Sequence, residues 1–212
     1  MAEVDASLFD GPADAALTVA LAHGAGAPMD SPFMETIAKA LAGHGLRVAR
    51  FEFPYMARRR AEGTKRPPDR APVLLQSWRE VIDRLGRGRL VVGGKSMGGR
   101  IASMIAATLE AEGAPVRGVA CLGYPFHPPG KPARLRTEHL EAIATPTLIL
   151  QGERDPFGTR AEIEGYRLSK AIKLHWLPDG DHGLKPRKAS GRSEAENLAE
   201  AAAALARFAA AL

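Results

Sequence analysis

Cysteine is nearly missing from this 212-residue chain: Cys121 stands alone, so no intrachain disulfide can form and a cysteine-rich zinc site is excluded. Long apolar runs are missing too. The longest near the start, from Ala15 to Ala22, is interrupted by Thr18 and ends at His23. That is far short of the roughly 20 residues that span a bilayer. The first 14 residues contain Glu3, Asp5, Asp10 and Asp14 but no Lys or Arg, the wrong sign for the start of a secretory signal. These absences predict a cytoplasmic protein with no membrane association. Internal repeats and linker-like stretches are also lacking, which predicts one domain over 1–212.

What is present is the composition of an ordinary globular protein, 45% hydrophobic and 25% charged. The net charge of +5 raises the possibility of an acidic partner. Much of it comes from one stretch, where Arg58, Arg59, Arg60, Lys65, Arg66 and Arg70 face only Glu62 and Asp69. This stretch reads as a solvated surface loop or as a basic rim that attracts anionic substrates. It lacks the interleaved aromatics of single-strand binding surfaces, so no nucleic-acid partner is expected.

Short apolar or β-branched runs alternate with longer segments of helical period. The runs are Leu17–Ala22, Arg47–Phe53, Leu90–Gly93, Arg117–Gly123, Thr147–Gln151 and Lys173–Leu177, with a further option near Val4–Phe9. The pattern predicts an α/β fold, a three-layer α/β/α sandwich around a mostly parallel sheet of six or seven strands. Ser31 followed by Pro32 marks the start of a first helix, which Gly43 and Gly45 end. Stripes at Leu74, Trp78 and Leu85 and at Met97, Ile101, Ile105 and Leu109 mark two more. Thr159 with Glu162 and Ser193 with Glu196 match the capping box, the second opening an Ala-rich terminal helix. Open sheets of this kind bind ligands beyond the carboxyl ends of their strands, so functional residues are expected there.

Gly94-Lys95-Ser96-Met97-Gly98 lies between an apolar strand and a helix. That is the setting of a nucleophile elbow, in which a serine sits on a strained turn and its flanking residues must lack side chains. The alternative is a glycine-rich turn with an incidental serine. A serine hydroxyl needs a base to take its proton and a third group to orient the base. Asp155 follows the strand Thr147–Gln151 and His182 follows Lys173–Leu177, giving the chain order Ser, Asp, His. Glu153, Asp179 and Asp181 compete for the acid role. Among the histidines, His175 falls inside a strand, while His44 and His139 sit in polar segments read as surface.

His23-Gly24-Ala25-Gly26 follows the first strong strand. Its small residues let a backbone approach substrate, and the N–H of Ala25 would pair with that of Met97 to hold an oxyanion. His23, Gly24, Gly26, Lys95 and His127 are tentative substrate contacts, with Lys131 beside His127. The other reading has Lys95 paired with an acid and the Pro125–Pro132 loop simply rigid.

At these four places the sequence resembles the α/β-hydrolase superfamily. It looks most like the small lidless branch of bacterial predicted hydrolases and dienelactone-hydrolase relatives, with eukaryotic testis-expressed and chromatin-complex members. The resemblance implies Ser96 as nucleophile, Asp155 as acid, His182 as base, and Ala25 with Met97 as oxyanion donors. Dienelactone hydrolases use a cysteine nucleophile, whereas Cys121 falls within a strand as a small apolar residue. The reading is therefore a serine hydrolase acting on an ester or thioester of a small soluble substrate through an acyl-enzyme. It needs neither metal nor organic cofactor. The eukaryotic members motivate the alternative of a non-catalytic interaction protein. The oligomeric state is not readable from the sequence.

Overall fold

The computed structural model describes residues 7–212. Seven strands form one sheet in the order β1-β3-β2-β4-β5-β6-β7. They are β1 (Leu8–Asp10), β2 (Thr18–Ala22), β3 (Arg47–Phe51), β4 (Leu90–Lys95), β5 (Gly118–Leu122), β6 (Thr147–Gly152) and β7 (Ile172–Leu177). The pairings from β3 to β7 are parallel, and only β1 runs antiparallel, against β3. This is the expected three-layer α/β fold. Of the optional strand near Val4–Phe9, residues 4–6 lie outside the described residues, and the strand is found at Leu8–Asp10.

The side-chain period of two explains the layering. In β2, Val19 and Leu21 pack against the layer of α1 (Pro32–Gly43) and α6 (Glu194–Ala210), while Ala20 and Ala22 face the opposite layer. That opposite layer is built on α3 (Ala71–Leu85) and α4 (Met97–Ala111), with Trp78 set edge-on against Phe51 at 4.7 Å. Cys121 lies in the same layer, fully buried, and desolvation pushes its thiol pKa up. It is the packed residue expected.

The basic stretch departs from expectation. Its first part is a helix, α2 (Pro54–Glu62), begun by Pro54 in the first turn and ended by Gly63 at φ 66°. Tyr55 and Met56 pin it to the core, but three consecutive arginines hide its apolar stripe. Much of its charge is neutralised locally: Arg58 pairs with Asp69 at 2.6 Å, Arg60 with Glu52 at 2.6 Å and Asp30 at 2.8 Å, and Arg66 with Glu62. The capping box at Thr159 opens only one turn of helix, α5 (Arg160–Ile163), whereas that at Ser193 opens α6 as predicted. Between β5 and β6 the chain forms a loop with a single short turn, Glu138–Glu141, and no lid. Among the described residues no helix is long and apolar enough to cross a membrane.

Candidate active site

Ser96 follows β4, near the middle of the sheet, with φ 52° and ψ −116°. A non-glycine residue in that region is strained, and the surrounding packing must hold it there. The glycine at 98 shows how tightly it is held. A Cβ at that position would fall 2.3 Å from the carbonyl oxygen of Ala22 and 2.6 Å from that of His23. Only a bare backbone lets α4 start so close to β2.

Asp155 and His182 come to the same spot from the carboxyl ends of β6 and β7. The imidazole Nδ1–H donates to Asp155 Oδ2 at 2.8 Å, and Nε2 accepts from Ser96 Oγ at 2.8 Å, tautomers that follow from the hydrogen-bond network. Asp155 is fully buried, and its carboxylate also accepts from Gln151 Nε2 and from the Phe157 N–H, both at 2.9 Å. The side chain of His182 keeps 23% of its exposure, so its ring is reachable from solvent while its acid is not. The competing acids are engaged elsewhere. Glu153 accepts from the Asp179 N–H, Asp179 binds Arg187, and Asp181 Oδ1 accepts from the N–H groups of Gly183 and Lys185.

Three contacts escape pattern reading. Gln151 accepts the Tyr124 N–H at 2.7 Å while its amide also serves Asp155, so it locks the acid to β5. Phe157 stacks on the His182 ring. Asn197 in α6 donates to the carbonyls of Pro178 and Leu184 and ties down the loop that carries His182. Of these, Gln151 left a usable signal, as a polar residue ending an otherwise apolar strand.

A cleft of about 430 Å³ opens over Ser96, lined by residues that include Gly24, Ala25, Gly26, Phe33, Lys95 and His182. Ala25 and Met97 both lie at this point of the sheet, and among the described residues neither backbone N–H has a protein acceptor. A larger depression of about 660 Å³ lies at the opposite, amino-terminal edge near Gly88, Arg117 and Thr145, remote from Ser96.

Two of the tentative contacts need correction. His23 is fully buried beneath the cleft. Its Nε2 accepts the Phe53 N–H at 3.1 Å, which leaves Nδ1–H to donate to Gly24 O at 2.7 Å. Desolvation lowers its pKa, so the ring stays neutral and braces the loop from below. His127 is also buried and outside the cleft lining, with Nδ1 bonded to Pro128 O and Nε2 3.5 Å from Glu162. Lys131 is exposed on the loop beyond it. Lys95 does line the cleft, but its ammonium donates to the His182 backbone carbonyl rather than to an acid.

His139 also differs from expectation, since it packs under α4 instead of lying on the surface. Burial lowers its pKa to about 4, with the Arg100 charge adding to the effect. It forms a second Ser–His contact, 2.8 Å from Ser103. There the serine hydroxyl donates to Arg100 O at 2.8 Å and so accepts from the imidazole, and Ser103 is fully buried. That pair cannot present a nucleophile. Among the described residues no group of three or more His, Cys, Asp or Glu gathers as a metal site.

Known proteins share this fold. A family model described as an alpha/beta hydrolase domain matches residues 15–210. An alpha-beta serine hydrolase homologue from Coxiella burnetii superposes with a TM-score of 0.70 at 18% identity, covering 95% of this chain and 89% of that one. Dienelactone hydrolase from Anabaena variabilis gives 0.71 at 22% identity, covering 95% and 89%. A serine hydrolase without lid from Xanthomonas campestris gives 0.68 at 18%, covering 95% and 88%. At such identities these likenesses speak for the fold.

Proposed function

The chain belongs to the alpha/beta-hydrolase family, and from that premise we propose that it is a serine hydrolase cleaving a carboxylic ester or thioester through an acyl-enzyme. The observation that carries this reading is the continuous hydrogen-bond chain Ser96 Oγ to His182 Nε2 and His182 Nδ1 to Asp155 Oδ2, each 2.8 Å.

In this mechanism His182 takes the Ser96 proton as Oγ attacks the carbonyl carbon, and the imidazolium that forms is stabilised by the buried Asp155 carboxylate. The tetrahedral oxyanion accepts from the Ala25 and Met97 N–H groups, each such donor contributing about 3 kcal/mol in the transition state. His182 then returns its proton to the leaving alcohol or thiol. Water, deprotonated by the same imidazole, attacks the acyl-serine; the acyl–Oγ bond breaks, the imidazolium returns its proton to Ser96 Oγ, and the carboxylic acid product leaves. The open cleft and the short β5–β6 segment suit a small soluble substrate.

The test is labelling with a fluorophosphonate, which traps an activated serine. The wild type is expected to react and Ser96→Ala to stay unlabelled. Equal labelling of both proteins, or none of either, overturns the proposal and favours a non-catalytic role for the fold.

A further inference from the structure

We propose that the substrate carries an anionic group, a carboxylate a few bonds from the scissile carbonyl, which Lys95 receives inside the cleft. This rests on the hydrolase reading above and names the substrate class for the same site.

Lys95 is the last residue of β4, immediately before Ser96, and its side chain forms part of the cleft wall. The ammonium donates one hydrogen bond to the His182 carbonyl and lies 5.3 Å from the centroid of the Phe33 ring. Among the described residues no carboxylate forms an ion pair with it. The acids nearby are committed: Asp155 to His182, Gln151 and Phe157, Asp181 to Gly183 and Lys185, and Glu194 to Lys185 at 3.1 Å. A largely desolvated ammonium is costly unless paired. Burial lowers the Lys95 pKa to about 8 against the opposing pull of Asp155 and Asp181, which leaves it charged at neutral pH. Among the described residues that line the cleft, Lys95 is therefore the charged side chain without an ion-pair partner, Glu194 being paired with Lys185.

The surroundings extend the pattern. Arg59 reaches the lip of the cleft, 3.4 Å from Gly26 O, while Arg58, Arg60 and Arg66 of the same segment are each neutralised by a carboxylate. Ala25, Ala27, Phe33 and Met34 give the cleft apolar walls that fit a short methylene chain. A half-ester of a dicarboxylic acid matches all three features: a carbonyl for Ser96, methylenes for the wall and a carboxylate for Lys95. If Lys95 only pinned the His182 carbonyl, it would affect every ester alike.

The experiment compares two acyl chains of equal length, p-nitrophenyl hydrogen glutarate and p-nitrophenyl valerate, on the wild type, Lys95→Gln and Lys95→Arg. The readout is the ratio of the two kcat/KM values within each protein, so any general loss of activity divides out. The wild type is expected to favour the glutarate by about tenfold or more, the scale of one charge-assisted hydrogen bond. Lys95→Gln should bring the ratio close to one, and Lys95→Arg should retain part of it. A wild-type ratio near one, or one unchanged by Lys95→Gln, overturns the proposal.

A binding arm separates it from the hydrolase reading. Calorimetry on Ser96→Ala should detect monomethyl glutarate but not methyl valerate, and adding Lys95→Gln should abolish the binding. Lys95-dependent binding without any Ser96 labelling would sink the hydrolase and leave the anion site standing. Hydrolysis with neither preference nor binding would do the reverse.

Discussion

Phe157 lies almost flat on the His182 imidazole, ring centroids 4.1 Å apart and planes 27° from parallel. The same residue donates its backbone N–H to Asp155 Oδ1 at 2.9 Å. One short loop therefore orients the imidazole twice, by its edge through Asp155 and by its face through Phe157. An aromatic face also favours a cation, and in the proposed mechanism the imidazole is one while it holds the serine proton. Phe157→Ala is expected to lower kcat/KM about three- to tenfold with the fold intact, the scale of one aromatic contact, while Phe157→Tyr keeps most of it. Ester hydrolysis alongside circular dichroism checks this, and unchanged kinetics for the alanine variant would refute it.

Gln151 should matter to stability as well as to turnover. Gln151→Met leaves the buried Tyr124 N–H without its acceptor and removes a donor from Asp155. Each buried group so stranded costs about 1–3 kcal/mol. Thermal denaturation should show a Tm lower by several degrees, together with a reduced kcat; a Tm equal to the wild type would contradict the network.

The elbow supplies a contrast between two glycines. Gly98→Ala drives a methyl group into the Ala22 and His23 carbonyls, whereas Gly26→Ala meets nothing within 4 Å. The first substitution is expected to abolish folding or fluorophosphonate labelling, and the second to preserve the fold. Soluble yield and labelling, compared side by side, decide the point.

The sequence carried the strand ends and the residues standing at them, because apolar runs fix the sheet and glycine-flanked Ser96, Asp155 and His182 follow three of its strands. It misled where identity and environment part company. Arg58 to Arg60 made a helix look like a loop, since only Tyr55 and Met56 of that segment reach the core. His139 sits in a polar stretch that reads as surface yet packs under α4, and His23 reads as a tentative substrate contact yet is fully buried. Their partners, a serine a helix away and the Phe53 N–H across β3, are long-range and leave no trace in local spacing. Phe157 and Asn197 were invisible for the same reason.

Acid should weaken the protein through its buried histidines. His139 has a folded pKa of about 4 against 6.5 for the free side chain, so between these values the unfolded chain takes up the proton that the folded one refuses. Its contribution is intact above about pH 6.5 and lost as pH falls toward 4, of order 3 kcal/mol in all. His23 is shifted the same way. Denaturant unfolding from pH 7 to pH 4 should fall less steeply for His139→Gln than for the wild type; identical slopes would exclude this contribution.

Alkali should act on substrate preference. The ammonium of Lys95 is faced by Asp155, Asp181 and His182, with Glu194 across the cleft, and loses its proton near pH 8. The glutarate-to-valerate ratio is expected to decline as pH rises through that value, while Lys95→Arg holds its ratio. A wild-type ratio constant from pH 7 to 9.5 would separate the preference from Lys95.

The contact of Gly98 with the Ala22 carbonyl has a mechanical meaning. The proposed nucleophile and its two N–H donors follow β2 and β4 directly in the chain, neighbouring strands whose pairing sets Ala22 opposite Gly94. Because the residues of the site follow these paired strands within a few positions, loosening the site is tied to loosening the sheet that carries it. Warmed gradually, the protein should stay fully reactive until that pairing gives way and then fall silent at once, its labelling curve overlying its melting curve.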